Sequence, residues 1–272
     1  MDRREDSVVA SCYDQTPPDA SGVRRTRQED ELRPLSVVVH GESGTGKSWF
    51  ADTAPAPRLI LDAEGGSKFT PSQPKVYWDP LTGPPPLNQE TVIVLVRDFQ
   101  TMQYVYQWLN STQHDFQSVC LDSVTELQKR CKDAIKAMEG SGGFRIQDWG
   151  TLLDDMELLI RQFRDLWMHV IKPIPVTVFI TTTAMDDKGV YRPHVQGGLK
   201  LSLPYFVDIV GYLYTATTDT GTLEHRMLVQ NAPGFIAKDR TDKLGYEIVE
   251  PNIQTMLDTV FGPAQPDAIG GN

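Results

Sequence analysis

The sequence predicts an α/β fold with a mostly parallel central sheet flanked by helices, extended by antiparallel strands on its C-terminal side. Three observations carry that prediction. Between residues 35 and 183, short β-branched and nearly continuous apolar runs alternate with helical periods, as strands buried on both faces alternate with crossover helices. The stretch GESGTGKS at 41–48 follows the first such run and opens a helix. After residue 184 the texture changes, and 207–231 holds two β-rich arms around TTDTGT, the pattern of a hairpin.

Composition sets the outer limits. A chain of 272 residues, 40% hydrophobic and 23% charged, suits one core-forming domain without disulfides or structural metal. Cys12, Cys120 and Cys131 form no ligand spacing with the five histidines. Cys120 lies inside an apolar run, so a buried thiol in a reducing cytoplasm is expected. MDRREDSVVASC carries charges where a secretory leader would need an apolar core, so no signal peptide is expected in it, and no apolar run is long enough to span a membrane. The net charge of −10 argues against a surface coated in basic patches but leaves room for local basic loops.

In chain order, residues 1–33 mix charge with Pro, Ser and Gly and predict a disordered arm. Residues 34–262 form the folded domain, and 263–272 a flexible tail. Strands are expected at 35–40, 58–64, 91–96, 118–124 and 176–183, each β-branched and apolar. Helices fill 47–53, about 99–110, about 124–138 and 148–170. In the last, Leu152, Met156, Leu159, Phe163 and Leu166 recur at four-three spacing, which places one stripe on the core.

The stretch 41–48 fits G-x-x-x-x-G-K-[ST] in full. Gly41, Gly44 and Gly46 let the backbone turn its N–H groups inward, where a side chain would clash or forbid positive φ. Lys47 would reach the β- and γ-phosphates, and the Ser48 hydroxyl would ligate Mg²⁺. With Glu42, Ser43, Thr45 and Trp49 these residues make up the expected nucleotide-binding set. A second acidic group should end another buried strand, and SVCLDSV supplies Asp122. It would hold Mg²⁺ through water, or else cap the helix that follows. The strand at 58–64 ends in Asp62-Ala63-Glu64, and Glu64 there could polarise a water that attacks the γ-phosphate.

With these motifs in order, the sequence resembles the RecA-like ATPases over about residues 35–262, and most closely the compact AAA-domain type encoded by phages. LDAE is similar to that family's catalytic-glutamate segment and LDSV to its Walker B. VFITTT falls where the family carries a γ-phosphate sensor, usually an amide; here it would be Thr182 or a neighbouring threonine. The stretch 194–214 resembles the family's Gly-Gly segment and following strand. Lys238 and Arg240 resemble the Lys-x-Arg element that reaches a neighbouring subunit's nucleotide.

The resemblance implies ATP and Mg²⁺ as ligands, a ring or filament of identical copies, and single-stranded DNA as partner in phage recombination, annealing or replication. A single-strand-binding or replication protein would be a further partner, and no membrane is involved. The loops facing DNA would be 138–148, with Phe144 and Arg145, and 185–200, with Lys188, Tyr191 and Arg192. Aromatic and cation together suit stacking and phosphate neutralisation, although Asp186 and Asp187 oppose phosphate. Two other readings stay open: a helicase-loader-like switch in which nucleotide only orders a partner surface, and a P-loop kinase of a small acceptor.

Overall fold

The structure is a computed structural model that describes residues 32–139, 143–169 and 172–263. Residues 1–31 of the predicted arm (with Cys12), residues 140–142 of the first glycine-rich loop and residues 264–272 of the tail lie outside the described residues.

Five parallel strands form the centre: β1 (Leu35–Gly41), β2 (Arg58–Asp62), β4 (Thr91–Leu95), β5 (Ser118–Asp122) and β6 (Val176–Met185). β3 (Lys75–Tyr77) joins β4 in parallel at one edge. On the other side of β1 runs β8 (Ile209–Thr217), also parallel to it, then antiparallel β9 (Leu223–Leu228) and β11 (Glu247–Val249). The order across the sheet is β11-β9-β8-β1-β6-β5-β2-β4-β3. Two short strands pair off this path, β7 (Tyr191–Pro193) on β6 and β10 (Lys238–Asp239) on β8. The α/β class and the antiparallel C-terminal extension are as the alternation of runs predicts. β6 lies between the cradle strand β1 and the Asp122 strand β5.

Successive strand residues point to opposite faces. Val38, Leu59, Leu61, Val119, Leu121 and Phe179 pack into one core with α2 (Phe99–Ser111), α3 (Val124–Glu139), α4 (Asp148–Arg164) and α5 (Leu199–Phe206). Val37, Val39, Ile60, Cys120, Val178 and Ile180 pack on the other face, against α1 (Lys47–Ala51) and α6 (Ile253–Phe261). The expected stripe from Leu152 to Leu166 is wholly in the first core. Cys120 is a buried thiol, held protonated chiefly by burial.

Several elements differ from expectation. α1 ends at Ala51 rather than residue 53, because the chain tightens there into i−3 turns, the Thr53 amide donating to the Phe50 carbonyl at 3.0 Å and the Ala54 amide to that of Ala51 at 3.1 Å. The predicted helix 148–170 becomes a 3₁₀ turn at Asp165–Met168. Within 194–214, residues 199–206 form α5, with Pro204 inside it, and the strand starts only at Ile209. α6 lies beyond the helices expected from the sequence, and Asn252 caps it by accepting from the Thr255 amide. Among the described residues no helix is long and apolar enough to cross a membrane.

Candidate functional site

Register brings the chemistry to one edge of the sheet. Gly41 at the end of β1 pairs with Thr182 on β6, and Asp62 at the end of β2 pairs with Asp122 at the end of β5. Loops leaving these strand ends line a cavity of about 450 Å³ that includes Lys47, Ser48, Glu64, Asp122, Ser123 and Thr182. Thus the lysine, hydroxyl and two carboxylates singled out in sequence, with Thr182, face one space.

The cradle is shaped by close approach as much as by turning. A Cβ on Gly41 would lie 2.2 Å from the Leu213 carbonyl oxygen of β8, closer than any carbon can sit. Gly46 has φ of 91°, and a side chain there would also press on the His225 ring at 3.1 Å. Thr45 is buried, and its hydroxyl donates to the Glu42 carbonyl at 2.9 Å. Glu42, Ser43 and Gly44 are exposed on the loop, as is Trp49 on the outer face of α1. With only five residues, α1 has a weak dipole, so the loop's own amides must carry most of the anion affinity.

Lys47 Nζ donates to the carbonyl oxygens of Gly41 at 3.0 Å and Glu42 at 2.6 Å. Burial lowers its pKa, while the charges of Asp122, Glu64 and Glu42 oppose the shift. The Ser48 hydroxyl donates to Asp122 Oδ2 at 2.6 Å. Burial pushes the Asp122 carboxyl up to about 6 against that hydrogen bond, with Glu64 and Asp62 raising it further and Lys47 lowering it. A buried carboxylate beside a hydroxyl is a pair of hard oxygen donors, the set that suits Mg²⁺. Ser48 and Asp122 therefore fit the expected ion.

Glu64 is placed by its neighbours. Asp62 gathers the turn after β2, accepting from the amides of Glu64 at 3.0 Å, Gly65 at 2.6 Å and Ser67 at 3.0 Å. The Ala63 amide donates to the Asp122 carbonyl at 2.6 Å, and the Ser123 hydroxyl donates to Glu64 Oε1. Arg130 of α3 ties the same turn from outside, donating to the carbonyls of Ala63 at 2.8 Å and Arg97 at 2.7 Å.

Thr182 belongs to a polar chain. Its amide donates to Thr125 Oγ1 at 3.1 Å, and its hydroxyl lies 3.2 Å from His194 Nδ1. Thr125 Oγ1 in turn donates to the His194 carbonyl at 2.9 Å.

Two histidines support the cradle and were not singled out from sequence. His40 is wholly buried beneath it, with Nε2 2.8 Å from the Ile236 carbonyl and Nδ1 3.0 Å from Thr183 Oγ1. That carbonyl requires Nε2 to carry the proton, leaving Nδ1 to accept from Thr183. His225 of β9 sets Nδ1 3.0 Å from the Thr45 carbonyl. With Gly46 and Trp49, His225 also borders a second cavity, of about 560 Å³, on the other side of α1. Nothing local in sequence marks either residue, because both act through strand pairing with distant segments.

The remaining predicted residues stand elsewhere. Lys238 and Arg240 lie by the start of β8, since Lys238 pairs with Val210 while His40 pairs with Tyr212 further along. Lys238 Nζ donates to the carbonyls of Pro204 at 2.7 Å and Val207 at 2.5 Å, closing the end of α5. Arg240 donates to Asp208 Oδ1 at 2.9 Å and remains largely exposed. Tyr191 stacks on Phe235 at 5.4 Å, and Arg192 pairs with Asp186. Phe144 meets Trp149 edge-on at 5.1 Å, and Arg145 pairs with Asp148 at 3.2 Å. Lys188 is exposed at the tip of the β6–β7 turn.

No curated protein matches the chain. Among solved structures, the flagellar accessory protein FlaH from Methanocaldococcus jannaschii is similar at 11% identity and a TM-score of 0.36, over 79% of this chain and 84% of FlaH. Residues 33–241 match the AAA domain family, a span that runs from the cradle strand through the strand ends bearing Glu64, Asp122 and Thr182 to Arg240, and the chain belongs to that family.

Proposed function

We propose that the protein is a Mg²⁺-dependent ATPase that assembles on single-stranded DNA and works in recombination, annealing or replication. The observation that carries the hydrolytic part is the meeting of Lys47, Ser48, Asp122 and Glu64, from three separate segments, around one cavity. Loop amides and Lys47 hold the phosphates, Lys47 exchanging two carbonyl acceptors for phosphate oxygens. Ser48 and Asp122 hold Mg²⁺, which supplies neutralisation of the charge that develops on the phosphates. Glu64 orients the attacking water and takes its proton, kept in place by Ser123 and by the Arg130 strap. Thr182 faces the same cavity and is assigned the γ-phosphate contact. The second cavity, beyond Trp49 and His225, has the size to take the nucleoside.

Lys238 and Arg240 are assigned to a neighbouring copy's nucleotide. Their position toward the start of β8, away from this chain's own cradle, supports that reading. The DNA part rests on the resemblance in motif order and on the β6–β7 turn, which leaves the strand bearing Thr182 and exposes Lys188.

The test is the ATPase rate with and without single-stranded DNA, with Lys47→Ala as the blank. Glu64→Gln should bind nucleotide normally and lose about 10²–10⁴ in single-turnover rate. Hydrolysis near the wild-type rate in that variant removes Glu64 from the chemistry. A rate indifferent to DNA removes the DNA part and leaves a nucleotide-driven switch.

A further inference from the structure

On α3, Lys129, Lys132 and Lys136 follow one another at three- and four-residue spacing and so share a helix face. With His194 and Gln196 on the opposite wall they line a groove of about 340 Å³. We infer that this groove binds the phosphodiester backbone of a single strand of nucleic acid, and that His194 transmits its occupancy to Thr182. The inference rests on the single-strand reading above; it takes in His194 and Gln196 of the second glycine-rich loop and adds the lysine face of α3, outside both loops, as the wall that holds the strand.

Charge is the first support. The groove gathers three ammonium groups against one carboxylate, Asp133, in a chain whose net charge is −10. Spacing is the second. Lys129 and Lys136 are seven positions apart, about 10 Å of axis, so the three ammonium groups are spread out to meet successive phosphates of one strand.

The ammonium groups are available to a phosphate. Lys129 and Lys136 have only exposed i,i+3 partners, Glu126 and Asp133, each at 3.0 Å, and such pairs are weak. Lys132 has no carboxylate partner among the described residues. Its ammonium lies 4.7 Å from the Phe144 ring centre and 4.5 Å from that of Trp149. The two rings thus seat a cation beside the groove, which gives Phe144 a supporting part rather than a stacking one.

The far wall is joined both to α3 and to the phosphate cavity. Gln128 and Gln196 exchange hydrogen bonds, with the Gln196 amide donating to Gln128 Oε1 at 2.6 Å and Gln128 Nε2 to the Gln196 carbonyl at 3.2 Å. Two residues earlier, His194 meets the Thr182 hydroxyl at 3.2 Å, and its carbonyl accepts from Thr125. A strand that draws His194 toward a phosphate therefore changes the partner of Thr182, whose side chain faces the phosphate cavity. Binding in the groove and turnover at the cradle are linked through that one side chain.

The experiment is equilibrium binding of a fluorescent oligo-dT across a salt series, on the full chain, for wild type and Lys129→Gln/Lys132→Gln/Lys136→Gln. Each lost phosphate contact lowers the slope of log K against log salt by about 0.7, so the triple variant should lose about 2 from its slope and bind tens-fold more weakly. Its DNA-free ATPase rate should be unchanged, and the matching triple Lys→Arg variant should keep the wild-type slope. An unchanged slope in the Gln variant overturns the groove while leaving the single-strand reading intact. Failure of wild type to bind oligo-dT overturns both. Equal affinity for duplex, or equal competition by inorganic polyphosphate, overturns the single strand as occupant. His194→Ala should still bind oligo-dT and lose stimulation of the ATPase by it; retained stimulation overturns the relay.

Discussion

His40 makes the stability of this fold depend on pH in a way that can be calculated. The ring is wholly buried, and burial lowers its pKa to about 4 from an ordinary 6.5, with the Lys47 charge acting in the same sense and the Ile236 carbonyl opposing. The folded state therefore keeps His40 neutral at pH values where the unfolded chain protonates it. Its contribution is complete above pH 6.5 and is lost progressively as pH falls toward 4. At pH 5 the loss is about 2 kcal/mol, from a gap of roughly 1.5 pH units at 1.36 kcal/mol each.

Asp122 acts with the opposite sign. Its raised pKa, about 6, means that the folded state binds a proton more readily than the unfolded chain, so acidification to pH 5 returns about 1.4 kcal/mol. The two nearly cancel in the wild type, and the informative quantity is the difference between variants. In magnesium- and nucleotide-free buffer, urea denaturation of wild type and His40→Gln should be compared at pH 7.5 and pH 5. The variant is expected to be less stable at pH 7.5, having lost a buried ring. On acidification it should gain about 2 kcal/mol relative to wild type. Parallel pH dependence in the two proteins would refute the argument, since it would mean that His40 does not resist protonation.

Three other substitutions test the cradle and its supports. Arg130→Met removes the donor shared by the Ala63 and Arg97 carbonyls, at a cost of about 1.5–3 kcal/mol per charged hydrogen bond, and kcat should fall while nucleotide affinity holds. Titration of nucleotide-binding sites separates this from simple unfolding, which would lower the number of sites per chain and leave the rate per site unchanged. Gly41→Ala forces a carbon against the Leu213 carbonyl, should destabilise by about 1–3 kcal/mol and should abolish nucleotide binding measured by calorimetry. Asp122→Asn should weaken binding of the nucleotide only when Mg²⁺ is present, so that titrations with and without the ion converge.

The parts of this fold that were legible in sequence share one physical property. Strands buried on both faces must be apolar along their length, so the first polar residue after such a run marks the edge of the sheet. His40, Asp62 and Asp122 all occupy that position, with Gly41 next after His40, and parallel register pairs Asp62 with Asp122 and Gly41 with Thr182. Elements of two or three residues, such as β3, β7, β10 and β11, are too short to show any period. α5 was obscured by Pro204, which local propensity counts against a helix. α6 is a different case, because Ile253, Met256, Leu257 and Val260 are all buried and sit at helical spacing behind an Asn cap. Its signal was present in the sequence, and the helix completes the second core.

His225, Leu213 and Arg130 show what local pattern does not carry. Each meets the catalytic edge from a segment far away in the chain, and each does so through a backbone oxygen. Arg130 holds the Ala63 carbonyl, His225 meets the Thr45 carbonyl, and Leu213 presents its own carbonyl to Gly41. Backbone partners leave no complementary side chain to read, so sequence alone leaves the cradle's second side blank. The C-terminal part of the sheet, which supplies Leu213 on parallel β8 and His225 on antiparallel β9, is thus a brace for the phosphate loop as well as an added edge of the sheet. Gly41 and Gly46 are glycines for two reasons at once: the turn of the loop around an anion, and the closeness of β8 and β9 on its other side.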